Sequence, residues 1–156
     1  MCGTVDFKPF KCEEKRKNCL VCSSKKHPRF QKPNCDQRGV VYHIVCNICS
    51  EEYIGQTERP IHIRFQEHHK KLTASELNKH KHPKKNDRGQ TIIDDHMPSA
   101  VSAHAMLHHN GKYDFSIGQL SVKHQQDARV AYEALACKMC DPKLNRRAEG
   151  GDIIPF

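Results

Sequence analysis

Cysteine and histidine are the residues of this chain that could bind a metal ion through sulfur or nitrogen. The 156 residues include nine cysteines and twelve histidines. In a reducing compartment CxxC pairs are more often zinc sites than disulfides, and an odd number of cysteines cannot form a closed disulfide set. The sequence therefore predicts structural zinc. Three pairs have the CxxC spacing: Cys19 with Cys22, Cys46 with Cys49, and Cys137 with Cys140.

A first zinc site is predicted in the segment from residue 1 to about residue 36. This segment is rich in Cys, Lys, Pro and Ser and has almost no periodic apolar positions, so it cannot fold on a hydrophobic core alone. Zinc can replace a missing core because its binding contributes directly to folding. The alternative is a basic linker with incidental cysteines. The available ligands are Cys12, Cys19, Cys22 and Cys35.

A second zinc site is predicted at the tip of a β-hairpin. Residues 40–45 are mostly β-branched or aromatic and favour a strand, and residues 51–55 read as a shorter second strand that ends at a glycine. Cys46 and Cys49 lie in the polar turn between the two strands. Two thiols are half of a tetrahedral site, so zinc there needs two further ligands.

The remaining elements follow from capping residues and apolar spacing. Residues 73–97 are polar and predict a long loop. Together the elements predict an α+β fold in residues 37–156, with a small three-stranded antiparallel sheet flanked by helices behind a Cys-rich N-terminal extension. The predicted elements are a helix capped by Thr57, with Pro60 in its first turn, that continues to about Lys71; a helix at Ser99–His109 ended by Asn110-Gly111; a strand at Tyr113–Val122; and a helix at Gln125–Met139 ended by Asp141-Pro142.

The charge of the chain is strongly positive. Lys and Arg number 26 against 18 Asp and Glu, which gives a net charge of +8 and a pI near 9.1. This balance suits a polyanionic partner such as a nucleic acid, or alternatively a solvated basic surface. No apolar run approaches the ~20 residues of a membrane span, and the polar first residues lack a secretory signal. The length excludes a large multidomain enzyme, and we expect an intracellular protein.

One set of motifs resembles the GIY-YIG nuclease pattern over roughly residues 39–147. Gly39-Val40-Val41-Tyr42 is followed by Tyr53-Ile54-Gly55, then by Arg64 and finally by Glu133. The first motif reads Val-Val-Tyr where the family name requires Gly-Ile-Tyr, but the tyrosine is retained. More narrowly, the chain is similar to the endonuclease domain of Penelope-like retroelements. That similarity lies in the CxxC between the tyrosine motifs, the run Tyr53–Arg59, Arg64–His68, Ser99–His104, and Glu133-Ala134 with Pro142–Asn145.

The resemblance implies a metal-dependent endonuclease that nicks DNA. Tyr42 would activate or orient the attacking water with help from Tyr53, and which of the two is the general base stays open. Arg64 would stabilise the transition-state charge, and Glu133 would hold Mg2+ or Mn2+, which prefer oxygen ligands. Implied partners are DNA, a fused or associated reverse transcriptase and the element RNA, in the nucleus and without a membrane. The predicted DNA contacts are Arg59, Lys70 and Lys71.

The same resemblance implies a Cys-Cys-His-His set at the hairpin tip. A helix that runs back along the hairpin would bring His68 or His69 to the tip, and His104 is expected as the fourth ligand. Other open choices are His96 and His108, and His68 could instead contact the scissile phosphate. Cys137 and Cys140 are predicted to be buried thiols rather than ligands.

Each of these roles has a simpler alternative. The two tyrosines could be cross-strand packing partners, and Glu133 could pair with Arg129 one turn away on the helix surface. The corresponding alternative function is a zinc-stabilised nucleic-acid-binding module without catalytic activity.

Overall fold

A three-stranded antiparallel sheet lies at the centre of the structure, with strands β1 (Val40–Cys46), β2 (Glu52–Thr57) and β3 (Phe115–Val122). The computed structural model describes residues 12, 19–81, 85–89 and 99–148, without the side chains of 79–81 and 146–148. The strand order is β2-β1-β3. Every residue of β1 is buried, as expected for a β-branched strand that is covered on both faces. The predicted α+β class with a three-stranded antiparallel sheet is confirmed.

Six helices surround the sheet in the described part of the chain. Two of them match the predicted helices closely, since α4 begins after Ser99, whose hydroxyl accepts from the Ser102 amide, and α5 ends where Asp141 adopts a φ of 50°. The predicted stop after α4 is also confirmed, because the Gly111 amide donates to the Ala105 carbonyl with a Gly111 φ of 75°. The helices are α1 (Leu20–Ser23), α2 (Ile61–Glu67), α3 (Ala74–Lys81), α4 (Ala100–His108), α5 (Gln126–Cys140) and α6 (Lys143–Ala148).

The helix after the hairpin is shorter than predicted. Thr57 belongs to β2, and its hydroxyl accepts from the Arg59 amide in the turn that follows. Helix α2 begins at Ile61, after Pro60, and ends at Glu67. Proline at this position is favourable because its missing amide proton and fixed φ suit a helix start. Residues 68–71, which were predicted to belong to this helix, therefore follow its end.

Three helices were not predicted: the short α1 in the N-terminal extension, α3 and α6. Helix α3 falls inside the predicted loop and begins with reciprocal caps: the Glu76 amide donates to the Thr73 hydroxyl, and the Thr73 amide donates to the Glu76 carboxylate. Helix α6 follows Pro142 directly. The rest of the predicted loop is described only at residues 85–89, so His96 lies outside the described residues.

The N-terminal extension packs onto both faces of the sheet. Val21 and Cys35 join the core cluster on the Tyr42 face of the sheet. On the opposite face, His27 Nε2 lies 2.7 Å from His43 Nδ1, and both rings are buried. His27 Nδ1 accepts from two backbone amides at 3.1 and 3.0 Å. The His27 proton is therefore on Nε2 and is donated to His43.

Groups outside the sheet occupy hydrogen-bonding positions on both of its edges. The side-chain amide of Asn145 accepts from the Ile54 amide at 2.8 Å and donates to the Ile54 carbonyl at 2.7 Å. At the other edge the Gln119 amide donates to the Gln31 carbonyl at 2.7 Å. The first contact joins α6 to β2, and the second joins the extension to β3. Among the described residues, no helix is long and apolar enough to cross a membrane.

Candidate functional site

The Tyr42 hydroxyl is the centre of a buried polar cluster between the sheet and α2. It lies 2.8 Å from His68 Nε2, and it accepts from Arg64 Nε at 3.2 Å. The Tyr42 side chain is fully buried. Burial raises the pKa of Tyr42 and the neighbouring Tyr53 raises it further, whereas Arg64 acts in the opposite direction. At neutral pH Tyr42 is therefore a neutral hydroxyl group.

Gly55 makes room for both tyrosine rings. It pairs with Tyr42 across the β1–β2 ladder. A Cβ atom at Gly55 would lie 2.5 Å from the Tyr42 hydroxyl oxygen and 2.8 Å from Tyr53 Cε1. The absence of a side chain at this position thus allows the two aromatic rings to face one another at a centroid distance of 6.4 Å.

Tyr53 lies at the more exposed side of the cluster. Its ring centroid is 5.2 Å from that of His68, and the side chain is only partly buried. Tyr42 and Tyr53 come from paired strands, as predicted, and both contact the same histidine ring. Of the two tyrosines, Tyr53 is the one that solvent can reach.

Arg64 extends from α2 into the cluster. Its Nη1 donates to the Glu67 carboxylate at 2.8 Å, and Arg59 pairs with the same carboxylate at 2.7 Å. Burial acts to lower the Arg64 pKa, but Tyr42, Tyr53 and Glu67 outweigh it and raise the pKa. About a third of the side chain is exposed. Arg64 is therefore a fixed cation that a phosphate can approach.

His68 is not at the hairpin tip. The residue follows α2 directly, and besides its contact with Tyr42 its Nδ1 atom contacts the Ser99 hydroxyl. Burial, together with Arg64 and His69, lowers the pKa of His68 well below its ordinary value. His68 is therefore not one of the side chains that could hold zinc at the hairpin tip, contrary to the prediction. Its ring lies in the tyrosine cluster and is neutral.

Glu133 lies on α5 and acts electrostatically on Tyr42. This helix packs against β1 and β2, and the Glu133 carboxylate contributes to raising the pKa of Tyr42. Arg129 is not its partner on the helix surface. Arg129 is buried and donates to the Gln56 side chain at 2.6 Å and to the Lys123 carbonyl at 3.1 Å.

The tip of the hairpin carries a group of four side chains that could hold a metal ion, Cys46, Cys49, His104 and His109. His104 Nε2 lies 3.2 Å from Cys49 Sγ and 3.0 Å from His109 Nε2, and Cys46 Sγ lies 3.5 Å from His109 Nε2. Zinc bonds of about 2.0–2.3 Å separate tetrahedral ligand atoms by roughly 3.3–3.8 Å. The Cys46–His109 distance lies in this range and the two shorter distances lie just below it, so a small outward shift of the side chains would let this donor set hold zinc.

Helix α4 supplies both histidines of this group. His104 lies within the helix, and His109 is its C-cap residue, so the chain turns back toward the hairpin at that point. The predicted Cys46, Cys49 and His104 are brought together, but His109 was missed in the sequence. His104 Nδ1 lies 3.4 Å from the Glu51 carboxylate, and such a carboxylate orients a metal-binding imidazole. His69 and His108 are not members of the group.

The extension carries a second group with the four predicted thiols, Cys12, Cys19, Cys22 and Cys35, whose sulfur atoms all lie within 4.8 Å of one another. The Cys12 and Cys35 sulfurs are 3.5 Å apart. Burial and the Cys19 thiol raise the pKa of Cys22 to about 11. A bound cation would lower it, since zinc binds thiolates. Four sulfur ligands at this separation could hold a metal such as zinc.

The third CxxC pair, predicted to be two buried thiols, is more exposed than predicted. Cys137 is partly buried, with its sulfur 3.6 Å from the Asn145 side-chain nitrogen, whereas Cys140 is exposed at the end of α5. Neither belongs to a metal-binding group among the described residues. The predicted DNA contacts Arg59, Lys70 and Lys71 are all exposed.

Comparisons with known proteins do not assign the chain to a family. No family model matches it, and neither a curated protein nor a solved structure matches it significantly. The side chains of the tyrosine cluster and of the two groups that could hold a metal ion are therefore the basis for a functional proposal.

Proposed function

We propose that this chain is a metal-dependent endonuclease of the GIY-YIG type that hydrolyses a phosphodiester bond of DNA and leaves a nick. The observation that carries the proposal is that Arg64 from α2 donates to Tyr42 beside Tyr53 of the paired strand, with Glu133 of α5 acting electrostatically on the same tyrosine. A net charge of +8 supports a polyanionic substrate.

Arg64 is the residue proposed to stabilise charge on the phosphoryl oxygens. Its guanidinium group is held by Glu67 and by the Tyr42 hydroxyl, so its direction is fixed before the substrate binds. A preorganised cation at this point lowers the barrier because it needs no rearrangement as charge develops. Arg59, which shares the Glu67 carboxylate, extends the positive surface toward solvent.

The two tyrosines are proposed to have different tasks. Tyr42 is fully buried and already bonded to His68 and Arg64, so it positions those two groups. Tyr53 is partly exposed and is the tyrosine that contacts the attacking water. His68 is neutral, and its Nε2 atom can accept the Tyr42 proton when Nδ1 donates to Ser99.

Glu133 is the residue proposed to hold a divalent ion. A single carboxylate suits Mg2+ or Mn2+, which commonly keep several waters and take substrate phosphate oxygens as further ligands. When bound, the ion supplies positive charge next to the scissile phosphate. The carboxylate contributes to raising the pKa of Tyr42, which is consistent with a site shared by ion and substrate.

The similarity of the motifs to Penelope-like retroelements extends this proposal to a biological setting. We propose that the chain is the domain that cuts target DNA and supplies a primer end, and that it acts with a reverse transcriptase and the element RNA in the nucleus. Zinc at the hairpin tip and in the extension would then hold the nuclease fold together and take no part in the reaction.

Cleavage of supercoiled plasmid tests the proposed activity. The zinc-loaded chain with added Mg2+ is expected to convert supercoiled plasmid to the nicked form, while Arg64→Ala and Glu133→Gln reduce the rate at least about a hundredfold. Glu58→Gln is the matched control, since this carboxylate is 77% exposed and belongs to none of the groups described above. Equal cleavage by Glu133→Gln and the parent chain would overturn the assignment.

A non-catalytic DNA-binding module is the second candidate. The observation that favours it is that the Tyr42 hydroxyl is fully buried and has two partners, as in an ordinary polar core. This alternative predicts binding that weakens steeply with salt because bound counterions are released. It also predicts no nicked product with Mg2+ or Mn2+, so binding and cleavage measured on the same preparation separate the two candidates.

A further inference from the structure

Helix α2, which carries Arg64, has only seven residues. A helix this short is not stable by itself, so its position depends on what it packs against. Ile61 and Phe65 are fully buried and belong to the hydrophobic core. Apolar packing is not directional, so it determines which side of α2 is buried but not the exact position of the helix along its axis. Directional contacts at the two ends of the helix supply that position.

At the start of α2 the contacts come from the N-terminal extension. The Ile61 amide donates to the Gln37 carbonyl at 2.9 Å, and the His62 amide donates to the Cys35 carbonyl at 3.0 Å. The His62 side chain adds a second bond to the same carbonyl oxygen, since its Nδ1 atom lies 2.8 Å away and a carbonyl can only accept. Cys35 is one of the four thiols that could hold a metal ion. His62 thus joins α2 to that group.

At the end of α2 the contact comes from α4. The Ser102 hydroxyl donates to the His68 carbonyl at 2.7 Å and to the Glu67 carbonyl at 3.2 Å. Ser102 is fully buried, so water does not replace this donor when it is removed. The same helix carries His104, which belongs to the group at the hairpin tip that could hold a metal ion. Ser102 thus joins the end of α2 to this second group.

We propose that His62 and Ser102 are positioning residues that hold the two ends of α2 and thereby direct Arg64. The Arg64 Nε atom donates to the Tyr42 hydroxyl at 3.2 Å, which is near the upper limit for an N–H···O hydrogen bond. A displacement of α2 by about 0.5 Å away from the sheet would therefore break this contact. The consequence for catalysis rests on the proposed function, in which Arg64 stabilises charge on the phosphoryl oxygens.

Nuclear magnetic resonance of the arginine side chains of the full chain tests this placement without DNA. The Arg64 Nε–H signal, assigned by its loss in Arg64→Lys, is expected to exchange slowly with water in the parent chain. His62→Leu and Ser102→Ala are each expected to shift the signal and to speed its exchange at least about tenfold. His62→Leu keeps both backbone bonds at the start of α2, so it is expected to fold. An unchanged signal in either folded variant would overturn the role of that residue.

Two kinds of control separate positioning from a general loss of stability. Ser116→Ala also removes a fully buried hydroxyl, which donates to the Asn47 side chain in the hairpin turn, and it is expected to leave the Arg64 signal unchanged. His62→Asn and Ser102→Thr keep a donor at each position and are expected to restore the signal. An equal change in Ser116→Ala, or no recovery with the conservative variants, would show that the two residues act only through stability and would overturn the proposal.

Plasmid cleavage then measures the effect on the reaction. Per folded molecule, His62→Leu and Ser102→Ala are expected to lower kcat about tenfold with little change in KM, because a misdirected Arg64 stabilises the transition state less and leaves DNA binding intact. A change confined to KM would contradict positioning. If the parent chain cuts no plasmid, the proposed function fails, whereas the Arg64 signal still decides whether the two residues direct this cation.

Discussion

The Tyr42 hydroxyl and His68 Nε2 lie 2.8 Å apart in a part of the protein that solvent does not reach. Because Arg64 donates to the same hydroxyl oxygen, the Tyr42 proton is available for His68. Accepting that proton at Nε2 requires the single ring proton of the neutral His68 to be on Nδ1, where it is donated to the Ser99 hydroxyl. Arg64 thus sets the direction of the hydrogen-bond chain, and Ser99 accepts at its end while also capping α4.

Replacing Ser99 with glycine is expected to separate these two roles. Glycine is a reasonable N-cap and costs only a few tenths of a kcal/mol there, but it removes the contact to His68. We expect Ser99→Gly to melt several degrees lower, because it leaves the buried His68 Nδ1 without this partner, and to cleave plasmid about tenfold more slowly per folded molecule, with a shifted pH profile. Ser99→Thr, which keeps the hydroxyl, is the control. Equal losses in both variants would contradict this role.

Gly55→Ala is expected to damage the cluster without removing any polar group. The new methyl group would lie 2.5 Å from the Tyr42 oxygen, so the rings must move apart, at a cost of about 3 kcal/mol. Gly118→Ala is the matched control, because its Cβ meets Phe30 and His27 on the other face. Thermal unfolding should show that both variants are destabilised, whereas only Gly55→Ala should also lose activity per folded molecule.

Zinc content is expected to distinguish His109 from His68. The parent chain should bind two zinc ions, one in each group of four ligands. His109→Asn is expected to lose one of them and to melt at a lower temperature, because structural zinc contributes to folding. His68→Asn is expected to retain both. Elemental analysis with free-thiol titration measures this, and zinc loss in His68→Asn alone would support the prediction from sequence instead.

The stability of the chain is expected to fall in mild acid through His27 and His43. Burial lowers the pKa of both to about 4, with a further contribution from Arg29. The unfolded chain, with ordinary histidines near 6.5, therefore binds more protons than the folded chain between these values. Stability is full above pH 6.5 and declines as pH falls toward 4, by up to about 3 kcal/mol for each histidine.

Denaturant unfolding at pH 7.5 and pH 5.0 measures this dependence. His27→Gln removes one titrating ring and is expected to reduce the pH dependence by about half. Protonation of the zinc ligands contributes equally to the parent and to the variant. The difference in pH dependence between the two proteins therefore measures the contribution of His27. Glu52 and Arg29 are the charged groups that contact His43. An identical pH dependence in parent and variant would show that this pair does not titrate on unfolding.

Local sequence signals were enough for most of the fold. The β-branched run of β1 and the Asn110-Gly111 stop each act within a few residues, so their elements could be predicted. Helix α3 was missed although Thr73 and Glu76 form a capping pair, because polar composition suggested a loop. The capping spacing was the signal that could have located this helix.

The candidate metal site at the hairpin tip needed information that the sequence does not contain. The two cysteines form a CxxC pair, so their spacing alone identifies them. The choice between His68 and His109 depends on how α2 and α4 pack against the hairpin. His109 is also outside the regular helix, at its C-cap, where helical spacing from His104 does not apply.

The contacts of Asn145 with Ile54 and of Gln31 with Gln119 also affect how the chain behaves when it is crowded by other copies. Exposed strand edges allow sheets from different molecules to join and grow into aggregates. At these two positions the backbone groups are already bonded within the same chain. A change that frees either position, such as Asn145→Ala, would therefore create a starting point for cross-β aggregation as well as a less stable protein.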